Sequence, residues 1–317
     1  MALKVAVKED SMKVYDEDLH RRFLLWKDQS GTSANTIAGM IGRSGAAVSQ
    51  YTNKKYAGDI QSLEKDIASL LAREEDLQFT VRPAEFCSTS ASKLIWEVLQ
   101  YCDAAQKMGA AVAPSGTGKT ETCKEYKVQN RATIFVTLDI TKRHPSSVLK
   151  AIAKHISVPR NQSIAEMLDA MVDRLKGTKR LLILDDAHFM TWESFELVRK
   201  IHDCARIGIV YVGQERLYEQ MKGQDPRGYL FDQIYSRIAM KRDRFGVTKN
   251  DAGMIAEAHL PGLDKGCVDY LFEIAKSKGR YRRMVNLLEV AAESHKQYGR
   301  KLDIELLRSA SRLLMGE

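Results

Sequence analysis

The spacing of apolar residues changes twice along this chain. Over residues 16–27, Leu19, Phe23, Leu24 and Trp26 share one side of a predicted helix. Over 61–75, Leu63, Ile67, Leu70 and Leu71 repeat the pattern. Residues 80–92 lose this period and carry Pro83, Ser88, Thr89 and Ser90, which predicts a linker at 79–92. From Lys93 short apolar runs alternate with amphipathic stretches. The runs at 110–113, 133–138, 180–184, 207–212 and 238–242 predict strands. Strands separated by helices form a parallel sheet with crossover connections, which makes this an α/β protein. From about Thr248 only helical spacing remains, over 248–258, 264–277, 282–297 and 302–315. The expected organisation is an all-α N-terminal domain at 1–78, a linker at 79–92, an α/β core at 93–246 and a helical domain at 247–317. No internal repeat interrupts it.

Composition narrows the class. In 317 residues, 44% are hydrophobic and 28% charged, enough for a buried core and unlike a disordered chain. No apolar run approaches the ~20 residues that cross a bilayer, and the N-terminal residues do not read as a secretory signal. The five cysteines form no C-x-x-C pair. A reduced, cytoplasmic protein without a zinc site or disulfides is expected. The net charge is +8. Residues 1–80 carry 11 basic and 12 acidic groups, residues 81–206 carry 19 and 14, and residues 207–317 carry 19 and 15. A basic balance points to a polyanionic partner, and the excess lies outside the first helical domain.

One motif carries specific chemistry. A-P-S-G-T-G-K-T at 113–120 follows a predicted strand and opens a predicted helix, the setting of a phosphate-binding loop. Backbone N–H groups of Gly116 to Thr120 turn toward a phosphate, and the helix N-terminus adds positive potential there. Lys119 reaches the β- and γ-phosphates, and the Thr120 hydroxyl ligates Mg²⁺. Pro114, Ser115, Gly116, Thr117, Gly118, Lys119, Thr120 and Glu121 make up the expected nucleotide-binding stretch. Its partner is L-L-I-L-D-D at 181–186, a buried strand with carboxylates at its C-terminal end, the edge where open α/β sheets bind ligands. Asp185 is the expected metal-side carboxylate. Asp186 is expected to polarise the attacking water, with one methylene fewer than the glutamate usual there.

These residues, with Gly213-Gln214, Ser236-Arg237 and G-R-Y-R-R at 279–283, resemble the AAA+ ATPases. S-Q-Y-T-N-K-K-Y-A-G-D, G-K-T-E-T-C-K-E-Y, A-R-I-G-I-V-Y-V-G-Q-E-R-L-Y and Y-S-R-I-A are similar to segments of the phage Mu-type B transposition proteins, target-DNA activators, over nearly the whole chain. The departures are Ala113 for Gly, Asp186 for Glu and Gln214 where that family has Asn. The resemblance implies an AAA+ P-loop core with a helical lid at 247–317. It makes Gln214 sensor 1, Arg237 an arginine finger reaching a neighbouring subunit, and Arg282 or Arg283 sensor 2. It further implies a DNA-stimulated ATPase using ATP and Mg²⁺. Such a protein assembles as a helical filament or ring on double-stranded DNA in the bacterial cytoplasm and serves a transposase. A helicase-loader or replication-initiator ATPase is the alternative.

Two segments are candidates for DNA contact. Residues 34–53 fit a helix-turn-helix template, with Ala38 at the tight contact, Gly42 in the turn, and Ile37, Ile41 and Val48 inward. Arg43, Ser44, Ser49, Gln50, Asn53, Lys54 and Lys55 are expected outside, where Ser, Gln and Asn reach base edges and Lys and Arg meet phosphates. Lys142 and Arg143, after the second strand, are expected to line the channel of an assembly.

Overall fold

A computed structural model describes residues 15–78, 86–221, 232–243 and 245–315. The chain divides between Arg82 and Pro83 into two compact units. Residues 79–85 of the expected linker lie outside the described residues.

The first unit consists of α1 (Glu17–Ser30), α2 (Ala34–Ile41), α3 (Gly45–Thr52) and α4 (Ile60–Gln78). Its boundaries are written in capping chemistry. The Asp16 side chain accepts from the Asp18 and Leu19 N–H groups at the start of α1. Ser33 and Ser44 do the same for α2 and α3, each such cap stabilising by about 1 kcal/mol. Gly42 ends α2 at φ 66, a left-handed turn that other side chains resist. Phe23, Ile37, Val48, Tyr51, Leu63 and Ile67 close the core beneath these helices.

The second unit begins with α5 (Ser90–Ala105), β1 (Met108–Val112), α6 (Lys119–Gln129), β2 (Ile134–Thr137), α7 (Pro145–Ile156) and α8 (Ile164–Leu175). It continues with β3 (Leu181–Asp185), a 3₁₀ turn (Ala187–Phe189), α9 (Trp192–Ala205), β4 (Gly208–Gly213), α10 (Glu215–Met221), α11 (Asp232–Tyr235) and β5 (Ile238–Arg242). The sheet is parallel with order β2-β3-β4-β1-β5. Every residue of β1, β3 and β4 is buried, because helices cover both faces. Ile134, Leu149, Phe195 and Tyr211 fill one side, and Ile95, Leu99, Ile183 and Val210 the other. The expected linker ran to residue 92, but α5 already starts at Ser90. The Thr89 side chain caps it by accepting from the Ser92 N–H at 3.1 Å.

Four further helices follow: α12 (Lys249–His259), α13 (Lys265–Lys276), α14 (Arg280–Tyr298) and α15 (Ile304–Met315). They have their own core around Leu271, Met284, Leu287 and Leu307. A buried carboxylate ties this lid to the α/β core. Asp251 Oδ1 accepts from the Ser90 N–H (2.9 Å) and hydroxyl (3.2 Å), and Oδ2 accepts from the Tyr281 hydroxyl at 2.9 Å. No helix among the described residues is long and apolar enough to cross a membrane.

Because each unit closes its own core, a protein lacking residues 1–82 should still fold and bind nucleotide. A single cooperative melting transition and an ATP affinity within about threefold of the full chain are expected. A truncated protein without cooperative melting would show that the first unit supports the second.

Candidate nucleotide-binding site

The C-terminal ends of β1, β4 and β3 lie side by side, and each delivers one part of the site. After β1, Gly116 (φ 80) and Gly118 (φ 84) bend the 113–120 loop through left-handed conformations. Gly118 is the N-cap of α6 and brings no side chain to its first turn. The free N–H groups of that turn are therefore left for an anion.

Lys119 is 7% exposed. Its Nζ donates to the carbonyls of Ala113 (2.9 Å) and Pro114 (3.0 Å), folded back along the loop. Burial pulls its pKa below the ordinary lysine value, and the charges of Asp185 and Asp186 offset part of that. A desolvated ammonium held by two neutral carbonyls gains a great deal when a phosphate replaces them.

At the end of β3 the Asp185 carboxylate is fully buried. Its Oδ2 accepts from the Thr120 hydroxyl at 2.7 Å, and its Oδ1 has no hydrogen-bond partner. Burial raises its pKa from the ordinary aspartate value, and the Thr120 bond pulls it back. An orphaned, buried carboxylate oxygen beside a hydroxyl suits a hard divalent cation, so this pair fits Mg²⁺.

Asp186 follows with φ 54, a left-handed conformation that Asp tolerates better than most residues. It turns the chain out of the strand and presents a one-third exposed carboxylate to the cleft. Gln214, just past β4, faces the same cleft.

The cleft encloses about 620 Å³. Residues 115–122 line one wall, and Tyr281, Arg282, Val285, Asn286 and Glu289 of α14 line the other. Phe86, Cys87, Ile255 and His259 also line the cleft. The lid approaches the loop closely. A Cβ placed on Gly116 would lie 1.9 Å from the Gly279 carbonyl oxygen, so no other residue fits there.

Residues 102–221 match the AAA domain family. The ATP-dependent target DNA activator B of Escherichia phage Mu is 28% identical over 89% of this chain and 90% of its own length. The Mu-like prophage FluMu DNA transposition protein B of Haemophilus influenzae is 28% identical over 78% of this chain and 86% of its own. Among solved structures, a Walker-type ATPase of Pyrococcus abyssi superposes with a TM-score of 0.50 at 16% identity, covering 75% of each chain.

The chain carries an AAA+ ATPase domain. Its sheet order, its phosphate loop after β1 and its acids after β3 are one architecture, and the resemblance to the B transposition proteins runs through both units.

Around this AAA+ core the other expected residues separate. Arg282 lines the cleft, whereas Arg283 turns aside and its Nη1 donates to the Ser277 hydroxyl at 3.2 Å. Arg237 stands immediately before β5, and its Nε donates to Asp203 Oδ1 of α9 at 2.9 Å. Asp203 Oδ2 is held by Arg199 Nη1 at 2.5 Å, and Arg199 Nη2 pairs with Glu196 at 2.8 Å. Glu121 is exposed at the cleft edge and pairs with Lys124 at 2.8 Å.

Several of the residues expected to reach DNA are occupied. Arg43 is half-buried, not exposed as expected. Its guanidinium pairs with Asp66 at 2.6 Å and donates to the Ser62 hydroxyl at 2.7 Å, because α4 places both opposite the turn. Lys54 pairs with Glu17 at 2.5 Å. The Ser44 hydroxyl caps α3, and Asn53 Nδ2 donates to the Ser49 carbonyl at 2.8 Å. Ser49, Gln50 and Lys55 remain exposed. Lys142 pairs with Asp139 at 2.5 Å, which holds the Asp139 carboxyl well below the usual range. Arg143 is half-buried, with an enclosed Nε that has no hydrogen-bond partner.

Nothing in the sequence singles out Phe86, Cys87, Ile255 and His259 of the cleft lining, or His188. Phe86 and Cys87 sat in an aperiodic stretch, and Ile255 and His259 belong to a helix that reads as amphipathic. Nothing local marks them as neighbours of a phosphate loop.

Proposed function

We propose that this chain binds and hydrolyses ATP to assemble on double-stranded DNA, delivers that DNA to a transposase and so activates transposition in the cytoplasm of a bacterial host. The observation that carries the reading is the extent of the similarity to the phage Mu target DNA activator. It reaches across the ATPase domain and the helical first unit together. The P-loop alone would fit many ATPases.

In this reading Lys119 and the loop N–H groups bind the nucleotide phosphates. Thr120 and Asp185 hold Mg²⁺, which neutralises phosphate charge when bound. Asp186 polarises the attacking water, and the Gln214 amide orients it against the γ-phosphate. Arg282 supplies charge from the lid. The α2–α3 pair acts as the helix-turn-helix, with Ser49 and Gln50 toward the bases and Lys55 toward phosphate. Lys142 and Arg143 join a channel only in an assembly that draws them from Asp139 and from their half-buried positions.

Arg237 is the residue that joins subunits. In the single chain it is paired with Asp203. Assembly exchanges that exposed pair, worth little by itself, for the neighbour's γ-phosphate. ATP then favours the assembled state because it binds that state better.

Electron microscopy with ATP and duplex DNA tests the reading, and filaments or rings are expected. Arg237→Ala should bind ATP within about threefold of the parent affinity. Its DNA-stimulated turnover should fall by about 10³-fold or more, and ordered assemblies should be lost. Monomeric particles of the parent protein under the same conditions would refute assembly as its mode of action. Full turnover in Arg237→Ala would remove it as the finger.

A further inference from the structure

The 3₁₀ turn after β3 places a histidine beside the carboxylate assigned to the attacking water. His188 is 8% exposed, and its ring packs on Phe189 with centroids 4.4 Å apart. Its Nδ1 is enclosed and has no hydrogen-bond partner. That nitrogen lies 3.8 Å from Asp186 Oδ1, just beyond hydrogen-bond reach. Enclosed polar atoms without partners are few in folded proteins, and each calls for a reason.

The backbone on both sides is held. Asp186 sits in its left-handed conformation, which sets the direction of its Cβ. The turn leans on the end of β4, where a Cβ on Gly213 would lie 3.4 Å from the His188 backbone nitrogen. What remains to be set are the side-chain torsions, and a rotation that shortens the 3.8 Å gap would put Oδ1 within hydrogen-bond distance of Nδ1.

We propose that His188 is a positioning residue for Asp186: its Nδ1–H holds Oδ1, so that Oδ2 is aimed at the attacking water. The inference rests on the reading of Asp186 as the water-polarising carboxylate. An aspartate has one side-chain torsion fewer than a glutamate, so a single anchor fixes it. The histidine thereby compensates for a short carboxylate that would otherwise swing in a 620 Å³ cleft. Burial lowers the pKa of His188. Lys119 and Arg216 lower it further and Asp186 opposes them, so the ring is neutral at neutral pH and Nδ1 carries a proton only in one tautomer. That tautomer is the one the contact with Asp186 selects.

The test compares side-chain shapes in the full-length protein with ATP and DNA. Asparagine places an amide N–H where Nδ1 stands, and glutamine places it where Nε2 stands. His188→Asn should retain kcat within about threefold. His188→Gln and His188→Leu should lose about 10–100-fold in kcat, the range typical of residues that orient a functional ligand, with KM for ATP and the melting temperature unchanged. In an Asp186→Glu background, His188→Leu should lose less than about twofold, because the longer carboxylate no longer depends on that anchor. Equal losses in Asn, Gln and Leu, or a loss carried by KM, would overturn the proposal. If His188→Leu does not fold, the Asn–Gln contrast still decides. Asp186→Asn is measured beside them. Full turnover there defeats the reading of Asp186 itself. Slow turnover in Asp186→Asn with full turnover in His188→Gln defeats only the role of the histidine.

Discussion

Lys119→Ala should abolish useful ATP binding, raising Kd by about 10²–10⁴-fold. The lysine Nζ is buried and now bonds two loop carbonyls, at 2.9 and 3.0 Å. With ATP present those bonds should pass to phosphate oxygens. A hydrogen bond to a charged group contributes about 1.5–3 kcal/mol net. Two of them give about 3–6 kcal/mol, at about 1.4 kcal/mol per tenfold. The fold should not suffer. A lysine whose folded-state pKa lies below its unfolded value costs stability in full below the folded-state pKa; the cost shrinks as pH rises between the two values and is gone above the unfolded one. The alanine variant lacks this penalty, so its melting temperature at neutral pH should be no lower than the parent's. In the parent, ATP affinity should weaken as pH rises through the depressed lysine pKa. Titration calorimetry with ATP and a melting curve at neutral pH check both statements. A change in Kd of less than tenfold would mean the ammonium does not reach the phosphates.

Asp186→Asn should separate binding from turnover. The carboxylate is one-third exposed and lies past the buried Thr120–Asp185 pair, so removing its charge should leave the loop and that pair untouched. ATP affinity should stay within about threefold. Hydrolysis should slow by about 10²–10⁴-fold, the usual contribution of a positioned general base. If nucleotide holds the assembled state together, this variant should remain on DNA for as long as ATP is present. Asp185→Asn is the contrasting case. It leaves a neutral amide where a cation needs charge, and Mg²⁺-dependent affinity should collapse. Single-turnover kinetics with measured nucleotide affinity distinguish the two. Normal turnover in Asp186→Asn would mean the water is polarised by another group.

The elements legible in the sequence were those whose cause is local. The run Leu181 to Leu184 ending in two acids could hardly be anything but a buried strand, and the structure has it as β3, every residue covered. The phosphate loop was legible because a chain of eight residues carries all of its chemistry. Strand ends moved by only one or two residues, as with β1 at Met108–Val112 in place of 110–113. Helix starts were readable where a capping side chain stood next to clear apolar spacing, as at Asp16 and Ser44. At Thr89 the same signal was present, but the prolines and serines around it suggested a linker. Surface charge was the least legible feature. Arg43 and Lys54 looked available for phosphate, yet each has a carboxylate from a distant helix within salt-bridge distance.

By itself, then, the sequence determined that the chain folds as helices, then an alternating α/β core, then helices, and that a phosphate loop and an acid pair stand at strand ends. Periodicity, caps and backbone-permissive glycines act over a few residues, so no partner is needed to read them. The tertiary structure alone decided which arginine lines the cleft, what holds Arg237 and what walls the cleft. Asp251 meets Ser90 across 161 positions, Arg237 meets Asp203 across 34 and Arg43 meets Asp66 across 23. Such pairs depend on how the sheet orders its strands and on the angle at which the lid helices dock. Packing sets both, and no short stretch of sequence encodes them.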